Sequence, residues 1–172
     1  RSRRDMREKF RRTHTGEECS EQLKGNINKM RIIEDLHTHT YYSHGKNGPR
    51  DNVLRALELG LEAVAVSEHA GGNMYYGVRG KKLERLNAEL AELRREFDGC
   101  IRVLRGLECN VMNFGESDIP KDRSEYDVII LGYHKGVPPV NRFARHILFE
   151  SFGGKSTPQR NTESLMAAAE KG

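Results

Sequence analysis

Seven histidines occur in the sequence, and five of them fall where they could do chemistry. Two lie in Asp35-Leu36-His37-Thr38-His39-Thr40, with Ser43-His44 shortly after. In an extended segment, side chains two apart share a face, so His37 and His39 can offer both imidazoles to one metal ion. His69 closes Ser67-Glu68-His69, Glu108 closes Arg105-Gly106-Leu107-Glu108, and His134 closes Gly132-Tyr133-His134. A lone histidine after an apolar run is more often a satisfied structural residue than a ligand. Here four successive runs each end in a residue type that binds metals, which points to a shared centre. Five imidazoles and one carboxylate exceed what a single tetrahedral ion takes. The set therefore predicts two or more ions, with Zn, Fe or Mn suited better than Mg or Ca. A multinuclear site clamps both oxygens of an in-line displacement and acidifies a bound water, as phosphoester or amide hydrolysis requires. No cysteine stands near the set, which disfavours a purely structural zinc site.

The elements that must position these residues alternate between strand and helix. Residues 31–36, 63–66, 101–104 and 128–131 read as four strands, the second apolar on consecutive positions as in a parallel sheet. Helices are expected over about 49–59, with Pro49 in the first turn and Gly60 at the stop, over 81–97, and over 157–169. Leu83, Leu86, Leu90, Leu93 and Phe97 recur on one helical face and read as core. Strands alternating with helices imply βαβ units and a parallel α/β sheet, and the donor residues fall at its carboxyl edge, where loops converge into active sites.

Composition narrows the classes. The chain has 172 residues, 36% hydrophobic and 31% charged, with a net charge of +4. No apolar run approaches the roughly 18 residues of a membrane helix. Residues 1–29 hold nine Lys/Arg against five Asp/Glu, and the rest is balanced at twenty of each sign. Residues 1–29 thus read as a poorly ordered basic leader, and the neutral body lacks the basic face of a nucleic-acid-binding domain. The three cysteines, Cys19, Cys100 and Cys109, form no CxxC pair. With no signal-peptide pattern, they predict a reducing, cytoplasmic setting, with Cys100 and Cys109 as small core residues.

Taken in order, the four motifs around His37, His69, Glu108 and His134 resemble the PHP (polymerase and histidinol phosphatase) superfamily over about residues 30–172. The likeness is to its phosphatase-like branch and to the PHP modules joined to X-family DNA polymerases. The resemblance implies a distorted seven-stranded, TIM-like βα barrel with a trinuclear centre of Zn, Mn or Fe. It implies that His37 and His39 bind one ion, with Glu108 bridging to another. His44 and His69 would bind a further ion, and His134 would join Glu108 at the remaining one. Asp35 and Glu68 would orient these ligands, and a metal-activated hydroxide would attack phosphorus. The family's later His-Pro-Gly and Asp-x-His motifs do not occur here. The chain is therefore expected to be the amino-terminal part of a PHP protein, truncated to about four βα units, with residues 30–172 as its PHP portion. The function implied is a metal-dependent phosphoesterase acting on a small phosphorylated compound. A nuclease acting on DNA or RNA ends and a non-catalytic scaffold are the alternatives.

Weaker signals carry less. Gly153-Gly154-Lys155-Ser156-Thr157 lacks the first glycine of a P-loop, since Phe149 stands there. Arg79, Lys81 and Lys82 fit a helix start as well as a phosphate site. Tyr41 and Tyr42 are candidates for a pocket mouth that spacing alone does not decide. His14 and His146 match no motif.

Overall fold

The computed structural model describes residues 32–134, 136–138 and 158–171. Residues 1–29, the stretch 147–150, the Gly153–Thr157 loop, His14 and His146 lie outside the described residues. The elements are β1 (Glu34–Thr38), α1 (Pro49–Glu58), β2 (Ala63–His69), α2 (Lys81–Glu96), β3 (Arg102–Asn113), β4 (Glu116–Ser117), β5 (Val128–Gly132) and α3 (Pro158–Lys171). None of these helices is long and apolar enough to cross a membrane.

Strands β1, β2, β3 and β5 lie side by side in chain order, all parallel. Each new strand is added on the same side, as in a curled half-barrel, and the order never reverses as it does in a doubly wound sheet. The helices agree. Val53 and Ala56 of α1 share one core with Leu86, Leu90 and Leu93 of α2 and with Val64, Val66 and Val103 of the strands. Both helices therefore cover the same face of the sheet. Phe97 and Leu90 are fully buried there, and each such side chain stabilises the fold by roughly 2 kcal/mol. Helix α1 starts where expected, with the Asp51 carboxylate accepting the Gly48 backbone N–H at 3.1 Å. It stops before Gly60, whose φ of 71° is left-handed.

The other face of the sheet is built for closeness. Ala63, Ala65 and Ser67 of β2 alternate with the helix-facing Val64 and Val66. Ser67 lies in register with Gly106, and a Cβ at residue 106 would collide with the Ser67 side chain. That contact corrects the expected third strand. Of the expected residues 101–104, only 102–104 belong to it and they are only its start, because Gly106 continues the strand where any larger residue would part it from β2. Glu108 therefore stands inside β3, not at its end. The strand then pairs antiparallel with the short β4, so five strands are present among the described residues, not four.

The first strand is also displaced, running to Thr38 so that His37 lies inside it. Its register against β2 slips: Glu34 and Asp35 pair with Ala63 and Val64, but Thr38 pairs with Val66. This bulge turns Thr38 toward the helices and His37 and His39 toward the opposite face. Cys109 is fully buried, whereas Cys100 is only half-buried and is not a core residue.

Candidate metal centre

Glu108 is the hub. Its register partner on β2 is His69, so both side chains leave the same face of the sheet. The Glu108 Oε1 atom lies 3.1 Å from His37 Nε2 and 3.0 Å from His134 Nε2. Its Oε2 atom lies 3.1 Å from His39 Nε2 and 3.0 Å from His69 Nδ1. One carboxylate, 6% exposed, is thus surrounded by four imidazole nitrogens from β1 and the residue just after it, from β2 and from the segment after β5. His44, in the loop after β1, completes the cluster through a 3.0 Å approach of its Nε2 to His69 Nε2.

These contacts suit a cation better than they suit one another. His69 Nδ1 and Glu108 Oε2 are buried and 3.0 Å apart, yet they do not align as a regular hydrogen bond, and Oε2 is crowded by the His39 ring as well. A neutral imidazole has one donor and one acceptor. His69 faces a second imidazole with one nitrogen and a carboxylate with the other. The donor atoms fall into three groups that could hold an ion: His39, His44 and His69; His37, His39 and Glu108; His69, Glu108 and His134. Within each group the atoms lie within 4.8 Å of one another.

Electrostatics show the same crowding. Burial alone would lower the His39 ring, but hydrogen bonds to Glu108 and Glu68 outweigh it and raise it from 6.5 to about 9. Burial would raise Glu108, and the bonds from His134, His39 and His69 instead hold it well below the ordinary carboxylate range. His44 is lowered by burial and by the neighbouring His39 and His69, which favours the neutral ring.

A layer behind the cluster holds it in place. Glu68 points to the helix side of β2 and is 2% exposed. It accepts the backbone N–H of Thr40 at 2.8 Å, the hydroxyls of Thr40 and Ser43, and contacts His39 Nδ1 at 3.4 Å. Burial would raise this carboxyl too, but those bonds lower it. Asp35 acts through the chain and not through a ring, accepting the His37 backbone N–H at 3.3 Å. Asn52 of α1 donates to Thr38 Oγ1 and to the His39 carbonyl, tying the bulged strand to the helix layer.

The structure brings together all six residues singled out in sequence, His37, His39, His44, His69, Glu108 and His134. Sequence reading missed the cavity wall. A cavity of about 500 Å³ is lined by four of the histidines, Glu108, Gly136, Asn73, Tyr75 and Tyr76. Tyr41 and Tyr42 are elsewhere, both donating their hydroxyls to Glu89 of α2. Arg79 donates to the Asn73 carbonyl at 2.9 Å, and Lys81 and Lys82 are exposed in the first turn of α2. An asparagine before two aromatics in a glycine-bounded loop was the available signal, because Asn side chains cap turns of this kind.

A singly wound parallel sheet with a histidine-rich cavity at its carboxyl edge defines an α/β domain with a candidate metal centre. The chain matches the PHP domain family over residues 35–169 and belongs to that family. It is 34% identical over 116 residues to a protein of Aliivibrio fischeri (strain MJ11) named probable phosphatase, covering 64% of this chain and 43% of that protein. It is 26% identical over 125 residues to the DNA polymerase/3'-5' exonuclease PolX of Bacillus subtilis (strain 168), covering 68% of this chain and 22% of that protein. The chain therefore spans less than half the length of these curated relatives.

Proposed function

We propose that the chain is the metal-binding portion of a cytoplasmic, metal-dependent phosphoesterase that acts on a small phosphorylated compound. The observation that carries this reading is the buried Glu108 carboxylate ringed by four imidazole nitrogens at 3.0–3.1 Å. Two to three divalent ions of the Zn, Mn or Fe kind suit that donor set. In this reading His37 and His39 would hold one ion together with Glu108, His44 and His69 would hold a second, and His134 would join Glu108 at a third. The four parallel strands would be the first of seven in a distorted βα barrel.

Bound ions would supply Lewis acidity toward a water and toward the phosphoryl oxygens. The chain's own residues do the rest. Glu108 stays ionised and fixes four rings on one point. Glu68, on the far side of His39, holds that ring's Nδ1 edge so that Nε2 faces the cavity. The lowered His44 keeps a lone pair ready near neutral pH.

A nuclease reading draws on the exonuclease named among the relatives, while the charge balance outside residues 1–29 weighs against it. One experiment separates the readings. The metal-loaded chain is assayed for phosphate release from small monoesters and for shortening of an end-labelled oligonucleotide. Phosphate release is expected, lost about a thousandfold or more in the His37→Ala, His39→Ala double variant. Unchanged turnover in that variant would sink the assignment, and shortening without phosphate release would favour the nuclease.

A further inference from the structure

The loop between β2 and α2 holds large apolar side chains in water at the mouth of the histidine cavity. Met74, Tyr75 and Tyr76 are 47%, 71% and 46% exposed. On a slack loop this would mean little, but the loop is pinned from within. Asn73 is 2% exposed, and its Oδ1 accepts the backbone N–H of both Tyr75 and Tyr76 at 3.0 Å. Its backbone carbonyl accepts from Gly77 N–H at 3.1 Å and from Arg79. The Met74 N–H donates to the Gly136 carbonyl at 2.7 Å, and the Val78 N–H to the His69 carbonyl at 2.9 Å. The loop is thereby fastened to the residue that ends β2 and to the segment just after His134.

The two rings are aimed. Tyr76 meets His44 edge-on with centroids 4.9 Å apart, and lies nearly parallel to His69, tilted by 28° at 5.9 Å. Tyr75 stands 6.3 Å from Tyr76, tilted by 57°, and is the more exposed. Both line the cavity that Glu108 and the histidines line. Tyr41 and Tyr42, by contrast, have their hydroxyls tied to Glu89, and Tyr42 belongs to the core. Fixed aromatic faces lose little conformational freedom on binding and prefer flat, unsaturated partners in offset or edge contact. Apolar surface held in water beside a polar centre marks a place where something binds.

We propose that Tyr75 and Tyr76 form the leaving-group subsite of this centre, selecting phosphate esters whose alcohol carries a flat unsaturated ring close to the ester oxygen. This rests on the phosphoesterase reading, with the phosphate at the Glu108 cluster and the ring on the tyrosines.

The test compares two non-hydrolysable ligands of equal size, benzylphosphonate and cyclohexylmethylphosphonate, titrated by calorimetry into the Mn²⁺-loaded chain. The flat ligand is expected to bind about five- to tenfold more tightly. Tyr75→Ala and Tyr76→Ala should each remove most of that preference, Tyr76→Phe should keep it, and Tyr76→Leu should lose it although the side chain stays apolar. No preference in the parent chain, no binding of either ligand, or a preference untouched in both alanine variants would overturn the proposal. Hydrolysis of phenyl phosphate and cyclohexyl phosphate, the esters these two phosphonates imitate, is followed alongside. Selective binding without any hydrolysis overturns the phosphoesterase reading and leaves the subsite standing. Hydrolysis of both esters without ring selection overturns the subsite alone.

Discussion

The two edges of the parallel sheet handle charge in opposite ways. At the amino edge, Arg102 pairs with Glu34, Arg94 with Asp127, and Arg105 with Glu125. Each is a cation against an anion, each has at least one partner well exposed, and the Asp127 carboxylate also takes the Arg105 backbone N–H at 2.7 Å. At the carboxyl edge, imidazoles face imidazoles and four of them share one buried carboxylate. The first edge is complete by its own residues. The second crowds imidazoles against one another and around a single carboxylate, an arrangement that a bound cation would balance. A barrel fold commonly divides labour this way, with stability at one end of the strands and chemistry at the other.

Three experiments would break or sharpen that contrast. The largest effect is expected from Glu108→Gln, which keeps the shape but removes the charge shared by four rings. Bound metal, counted by mass spectrometry, should fall by at least one ion per chain, and phosphate release should fall about a thousandfold or more. A variant that kept its full metal content would show that the carboxyl edge does not depend on its hub.

A smaller effect concerns pH in the metal-free chain. The folded His39 ring is raised from 6.5 to about 9, burial being outweighed by Glu108 and Glu68. A raised folded value adds stability that is full below 6.5 and disappears as pH rises through about 9. The urea midpoint of the metal-free chain, measured against that of His39→Gln, should therefore lose its advantage across that window. Metal uptake should run the other way and strengthen as pH rises, because the proton and the ion compete for the same ring. An advantage that grew between pH 6.5 and 9 would contradict the ion-pair account of His39.

The smallest effect belongs to the amino edge. Arg102→Ala removes an exposed pair and should cost about 1 kcal/mol or less in denaturant unfolding. Metal content and turnover should stay within about twofold of the parent. A loss of metal in this variant would mean that the edges are coupled through β3.

Much of the fold is legible in the sequence. The stripe from Leu83 to Phe97 and the run from Ala63 to Val66 carry their periods openly, and α2 and β2 contain them. The third strand was legible only in its first residues, because Arg105 and Gly106 look like a break. The glycine is in fact what lets β3 approach Ser67, and that reason lies on another strand. Tyrosines were the harder case. Tyr41 and Tyr42 stand beside the His-x-His motif in sequence but lean on α2. Tyr75 and Tyr76 lie more than thirty residues away from that motif and still border its cavity. Nothing local distinguishes the pairs except Asn73, whose buried side chain holds the second pair outward.

What the sequence determined by itself is the donor set and its order: His37, His39, His44, His69, Glu108 and His134 are types that bind metals, and all but the loop residue His44 fall at the ends of four apolar runs. Whether those donors meet was a tertiary matter. Had β1 kept the register that sets Asp35 opposite Val64, His37 would stand opposite Val66, on the face covered by α1 and α2. The slip before Thr38 moves both histidines to the face of Glu108. A period of two says that His37 and His39 point together. Which way they point depends on hydrogen bonds to a neighbouring strand, and on Asn52 and Ala65 holding Thr38, so it is decided only when the strands come together.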